Sequence, residues 1–144
     1  MGDKVLVVDD DPEMRDLLSN LLEGEGYEVI LGSNGEEAIE LAEKEDPQVI
    51  LLDFEMPGID GIETCKRLKR EGQTASIPII MITAYTNKKP GAFEAGADDF
   101  VNKPFDPTEV SARVKTFLRM QHLTNELKKA TVYIKELQKN LPKP

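Results

Sequence analysis

Three apolar runs, Val5 to Val8, Val49 to Leu52 and Ile79 to Ile82, stand out because they do not alternate with polar residues. Each is short and mostly β-branched, the pattern of strands buried on both faces of a parallel sheet. Periodicity alone does not separate such a run from buried helix, but the sequence between the runs does. Met14, Leu17, Leu18, Leu21 and Leu22 recur at helical spacing, and Gly24 and Gly26 close that helix before a further strand at Tyr27 to Leu31. Ser33-Asn34-Gly35 turns the chain, and Ala38, Ile39, Leu41 and Ala42 give the second helix its apolar side. Pro47 ends that segment. Ile62, Cys65, Lys66 and Leu68 begin a third helix, and Pro78 leads into the run at Ile79. A weaker helix around Gly91 to Ala95 precedes a fifth strand at Asp99 to Asn102. Five strands alternating with helices predict an α/β fold, a doubly wound five-stranded parallel sheet sandwiched by five helices.

The last helix has a different character. From Asp106, with Pro107 suited to a first turn and Glu109 favourable near the start, no breaker occurs until Pro142. A helix of that length reaches roughly 54 Å at 1.5 Å per residue, further than one globular body extends, so its end is expected to project. Met120, Leu123, Leu127, Ala130, Ile134, Leu137 and Leu141 alternate spacings of three and four, the a/d seam of a coiled coil. The expected division is a globular domain over 3–119 and a helical extension over 120–144. The seam either pairs with a second copy, the favoured reading, or folds back on its own body.

In open parallel sheets the functional crevice lies beyond the carboxyl ends of the strands. Those positions hold Asp9 and Asp10, Asp53, Thr83 and Lys103, none of them apolar. Three carboxylates against one lysine leave two excess negative charges, which a divalent cation neutralises. Oxygen ligands with room for water favour Mg2+ over zinc or copper. The alternative is a solvated acidic rim, which the placement of the acids at the ends of separate strands disfavours. A carboxylate beside a metal, a lysine and a hydroxyl outlines phosphoryl transfer, with attack by the carboxylate giving an acyl phosphate. Asp53 is the natural acceptor, since it ends the central run, the Met56-Pro57-Gly58 turn leads the chain away, and Ala84 leaves space.

Charge narrows the partners. The 144 residues carry a net charge of −9. Residues 1–111 contribute 10 basic and 25 acidic side chains, and residues 112–144 contribute 8 and 2. The acidic body argues against general nucleic-acid binding, and the basic tail reads as a solvated helix face. No apolar run approaches the roughly 18 residues that span a bilayer, and the N-terminus lacks a signal-peptide layout. A cytoplasmic globular protein is the expectation. The single cysteine, Cys65, forms no internal disulfide, and no Cys/His spacing suits zinc.

Val7-Val8-Asp9-Asp10-Asp11-Pro12, Leu51-Leu52-Asp53-Phe54-Glu55-Met56-Pro57-Gly58-Ile59-Asp60-Gly61, Ile82-Thr83-Ala84 and Gly96-Ala97-Asp98-Asp99-Phe100-Val101-Asn102-Lys103-Pro104-Phe105 occur in that order. Together they resemble the receiver domain of two-component response regulators, a flavodoxin-like fold of the chemotaxis-receiver kind, over about residues 3–119. The resemblance implies that a sensor histidine kinase or phosphotransfer protein donates a phosphoryl group to Asp53 with Mg2+ present. It implies Asp10 and Asp53 as direct metal ligands, Asp9 mainly through water, and the backbone carbonyl of Glu55 as a further ligand. Lys103 and Thr83 would contact the phosphoryl oxygens, and Thr83 and Phe100 would form the switch, Phe100 otherwise being a core aromatic. Lys103-Pro104 resembles the family's cis peptide. Glu55 and Tyr85 occupy positions that vary in the family and influence phosphoryl lifetime.

The implied role is a phosphorylation-dependent regulator without turnover chemistry, acting on an output domain or partner that the sequence does not identify. Tails of this kind resemble connectors to cyclic-dinucleotide or kinase output domains, and the chain is either a small regulator or a fragment cut at a linker. A homodimer is expected, with Leu123, Leu127, Ile134 and Leu137 in the seam, and with Asp98, Asp99 and Glu109 pairing across copies with Arg113, Lys88 or Lys89. His122 reads as an exposed helical residue. Two other readings compete. An aspartyl-phosphate phosphatase of the haloacid-dehalogenase type would carry a second aspartate two residues after the first, where this chain has Glu55. A non-phosphorylated dimerisation scaffold would be expected to lose one of Asp10, Asp53 or Lys103.

Overall fold

A computed structural model describes residues 2–84 and 94–142. The chain forms β1 (Lys4–Val8), α1 (Pro12–Gly24), β2 (Glu28–Gly32), α2 (Gly35–Glu45), β3 (Val49–Asp53), α3 (Gly61–Arg70), β4 (Ile79–Thr83), β5 (Asp99–Asn102) and a long helix, here α4 (Pro107–Lys139). The weaker helix expected around Gly91 to Ala95 falls largely outside the described residues. Each of the four described helices starts at an acidic or amide cap that accepts a backbone N–H left over by the first turn. Asp11 accepts from Glu13 at 3.0 Å, Asn34 from Glu37 at 2.8 Å, Asp60 from Glu63 at 2.9 Å and Asp106 from Thr108 at 2.9 Å. Pro12 and Pro107 sit at first helical positions, where the missing N–H costs nothing.

All five strands are parallel, in the order β2-β1-β3-β4-β5. Alternate residues of each strand serve opposite cores. Leu6, Val8, Ile50, Leu52, Ile79 and Met81 pack with Ala38, Ala42, Cys65 and Leu68 of α2 and α3. Val5, Val7, Val49, Leu51, Ile80 and Ile82 pack with Leu18 and Leu22 of α1 and with Val110, Val114 and Leu118 of α4. Both faces are covered, which is why the runs do not alternate in the sequence. The order reverses between β1 and β3, so a crevice opens at their carboxyl ends, where Asp9 and Asp53 stand.

The first turns of α4 belong to the second core through Val110, Val114 and Leu118. Near the helix's exit from the body, Gln121 Nε2 donates to the Gln48 carbonyl at 3.3 Å, and His122 Nε2 lies 3.0 Å from Asp3 Oδ1. Beyond that point the helix stands clear. Leu123, Leu127, Ile134 and Leu137 are exposed by 65%, 68%, 53% and 47%, so the seam is not folded back on its own domain. The 33 residues of α4 extend about 50 Å. No helix among the described residues is long and apolar enough to cross a membrane.

Candidate functional site

The site is assembled from strand ends. Asp9 follows the last residue of β1 and is 1% exposed, while Asp53 ends β3 and is 5% exposed. Asp10 lies at the solvent-facing mouth. A carboxylate oxygen from each of these three residues falls within 4.8 Å of the others. Lys103, just past β5, reaches the same point: its Nζ lies 3.0 Å from Asp53 Oδ1 and 3.5 Å from Asp9 Oδ2. The backbone holds it there through its N–H, which donates to the Thr83 carbonyl at 2.8 Å; the bond to Pro104 is cis. Around these groups lies an open cleft of about 420 Å³, whose wall includes Glu55, Met56, Pro57 and Ala84.

Burial is the main influence on the charges. Loss of water pushes the Asp53 carboxyl up to about 6; the neighbouring Asp9 adds to the effect, and the Lys103 hydrogen bond opposes it. Asp9 is raised for the same first reason, against the pull of the Asp11 N–H and of Lys103. For Lys103, burial acts to lower the ammonium's pKa, yet its bond to Asp53 and the charges of Asp53 and Asp9 outweigh that and hold it above the ordinary lysine value. The donor set is oxygen only, and three carboxylates face one lysine. That chemistry fits a hard divalent cation held by Asp9, Asp10 and Asp53.

The other candidates fall in distinct places. Thr83 ends β4, is 1% exposed, and lies one residue beyond Ile82, the register partner of Asp53. Phe100 in β5 is registered opposite Met81 and belongs to the core under α2 and α3, 7% exposed. Asp98 is occupied within its own chain, accepting from Lys69 Nζ at 3.1 Å and the Ile79 N–H at 2.8 Å. Asp99 pairs with Arg113 along the β5–α4 face, and Arg113 Nε lies 3.7 Å from Glu109. These acids and Arg113, read from the sequence as contacts between copies, thus make contacts within one copy. Tyr85, Lys88 and Lys89 lie outside the described residues. Cys65 is buried, its Sγ 3.5 Å from the Ala95 carbonyl, and burial raises its thiol to about 11. Sequence reasoning passed over Arg15, whose Nη1 donates to the Asp9 carbonyl at 2.7 Å. The available signal was an arginine one turn inside the helix that follows the acidic triplet.

A family model described as the response regulator receiver domain matches residues 5–115. The chain is 47% identical over 125 residues to the alkaline phosphatase synthesis transcriptional regulatory protein PhoP of Bacillus subtilis, covering 85% of this chain and 51% of that protein. It is 42% identical over 118 residues to the DNA-binding dual master transcriptional regulator RpaA of Synechocystis, covering 81% and 49%. The chain thus spans about half the length of these curated relatives. Among solved structures, chemotaxis protein CheY4 of Vibrio cholerae superposes with a TM-score of 0.77 at 34% identity, over 81% of this chain and 99% of that one. The receiver domain of sensor histidine kinase PA1611 of Pseudomonas aeruginosa, solved with magnesium coordinated in its active site cleft, gives 0.77 at 27% identity, over 82% and 98%.

An acid whose pKa is raised by folding costs the folded state nothing below its unfolded value and the full amount above its folded one. For Asp53 the cost therefore grows between about 4 and 6 and is complete at neutral pH, where it amounts to about 3 kcal/mol. A divalent cation that needs the ionised form is expected to stabilise the protein more near neutral pH than at about pH 5. Thermal melts with and without Mg2+ at ten times the dissociation constant found at neutrality should show a gain of roughly 3–5 °C there, and a smaller one at the same Mg2+ concentration in acid. Equal gains at both pH values would count against this reading of the charges.

Proposed function

The chain belongs to the response regulator receiver family, and on that footing we propose that it is a phosphoacceptor switch of a two-component system, charged at Asp53 by a histidine kinase or phosphotransfer protein. The observation that carries the proposal is the convergence of Asp9, Asp10 and Asp53 with the Lys103 ammonium 3.0 Å from Asp53. An Asp53 carboxylate oxygen attacks phosphorus in line, a P–O bond forms, and the P–N bond to the donor histidine breaks, leaving an aspartyl phosphate. Lys103, already beside the nucleophile, follows the developing charge onto the phosphoryl oxygens, and the Thr83 hydroxyl donates to another of them. Asp10 and Asp53 would hold Mg2+ directly, Asp9 mainly through water, and the Glu55 carbonyl would complete the protein's share. Bound there, Mg2+ supplies the positive charge that the transferred group's oxygens require.

The new phosphate adds about −1.5 to −2 charges beside a buried hydroxyl. Thr83 moves toward it, Phe100 takes up the space released, and the surface around β5 and the start of α4 changes. The chain acts as a cytoplasmic signalling domain without substrate turnover and without direct nucleic-acid contact. It is divided into a receiver over 3–119 and a helical extension over 120–144. The extension pairs with a second copy through Met120, Leu123, Leu127, Ile134 and Leu137, supported by the exposure of that seam on a helix that stands off the body. Contacts of Asp98, Asp99 and Glu109 with Arg113 across copies would require these groups to leave partners they hold within one chain. Downstream, the paired helices transmit the switch to an output domain or partner protein.

Intact mass after incubation with acetyl phosphate and Mg2+ tests the acceptor. The parent should gain one phosphoryl group and Asp53→Ala none, whereas an equal adduct on Asp53→Ala would remove Asp53 from the role. For the seam, Leu127→Lys should raise the dimer dissociation constant at least about tenfold in analytical ultracentrifugation, through the cost of a buried ammonium in an a position. A parent that sediments as a monomer at high concentration would exclude pairing.

A further inference from the structure

Between the end of β1 and the start of α1 the chain has three residues, Asp9, Asp10 and Asp11, in which to turn and present its carboxylates. Two of them have ties of their own. Asp9 Oδ1 accepts the Asp11 N–H at 2.9 Å, and Asp11 Oδ1 caps α1 through the Glu13 N–H at 3.0 Å. Asp10 is exposed, and the peptide planes on either side of it fix the direction in which its side chain leaves the backbone. The plane that precedes it carries the Asp9 carbonyl, the oxygen that Arg15 Nη1 reaches at 2.7 Å. Asp9 is meanwhile anchored to the sheet by its own N–H, which donates to the Gly32 carbonyl at 3.2 Å. The two ends of the grip are therefore fixed, one in β2 and one on the first turn of α1, where the Arg15 N–H closes onto the Asp11 carbonyl at 3.0 Å.

We propose that Arg15 is a positioning residue for the cation site: by holding the Asp9 carbonyl it fixes the Asp9–Asp10 peptide, and so keeps the Asp10 carboxylate converged with those of Asp9 and Asp53. Turning that peptide would break a charge-assisted hydrogen bond and swing the Asp10 side chain away from the other two. The half-buried guanidinium also brings a permanent positive charge to the rear of an acidic loop without entering the ligand set. This inference rests on the proposed function, since it takes the three carboxylates to be the cation's ligands.

The test compares the parent, Arg15→Gln and Arg15→Lys by calorimetric titration with Mg2+. It adds amide hydrogen exchange of the metal-free proteins and the rate of phosphorylation by acetyl phosphate at saturating Mg2+. Arg15→Gln should raise the Mg2+ dissociation constant about tenfold or more, the usual effect of removing a group that orients a ligand. It should also speed exchange at the Asp11 N–H, which is held by Asp9 Oδ1. Arg15→Lys should recover part of the affinity, because an ammonium can reach the same carbonyl with a single donor. The phosphorylation rate at saturating Mg2+ should stay within about twofold of the parent, because Asp53 and Lys103 are untouched. A folded Arg15→Gln that binds Mg2+ as the parent does, with unchanged exchange at Asp11, would overturn the inference and leave the functional reading intact. A parent that takes up no Mg2+ would overturn both.

Discussion

Asp9 and Asp53 stand at the carboxyl ends of the two central strands, each nearly removed from water, and their repulsion is eased within the chain by the ammonium of Lys103. Taking one carboxylate out of water is costly, and taking two out side by side is more so unless charge of the opposite sign joins them. The balance is left incomplete, which is why the Asp53 carboxyl is pushed up to about 6. A fold selected for stability alone would have filled these positions with apolar side chains. Here the sheet tolerates the deficit, and the oxygen donors at its end suit a divalent cation.

The rest of the architecture makes that arrangement affordable. Strands buried on both faces supply two apolar cores, so the energetic deficit at one end of the sheet is offset along its length. The reversal of strand order between β1 and β3 opens the crevice where the acids emerge, β5 leads to Lys103 on its wall, and β4 ends in Thr83 at the same end of the sheet. A rigid frame also limits how the site can respond. β4 lies beside β3 with β5 beyond it, and the start of α4 packs on the same sheet before the helix runs out from the body.

Much of this was legible in the chain because the signals are local. Two-sided burial leaves unbroken apolar runs, and caps leave Asp or Asn before a helix. The strand-end rule then singled out Asp9, Asp10, Asp53, Thr83 and Lys103, which the fold brings to one end of the sheet. What escaped depends on distance in space. The pairing of Asp99 with Arg113, and of Asp98 with Lys69 and the Ile79 N–H, joins residues 14 to 29 positions apart, so charges free to bridge two copies in the sequence are engaged within one. Arg15 was marked only by its place one turn into α1. Its partner is a backbone carbonyl, which every residue possesses and no side-chain pattern marks.

The central claim is that burial beside a second carboxylate leaves Asp53 short of positive charge, and the direct measurement is the titration of its side-chain carboxyl carbon by NMR, with and without Mg2+. The account expects a midpoint near about 6 in the metal-free protein, falling when Mg2+ is added. A midpoint at the ordinary aspartate value, indifferent to Mg2+, would contradict it.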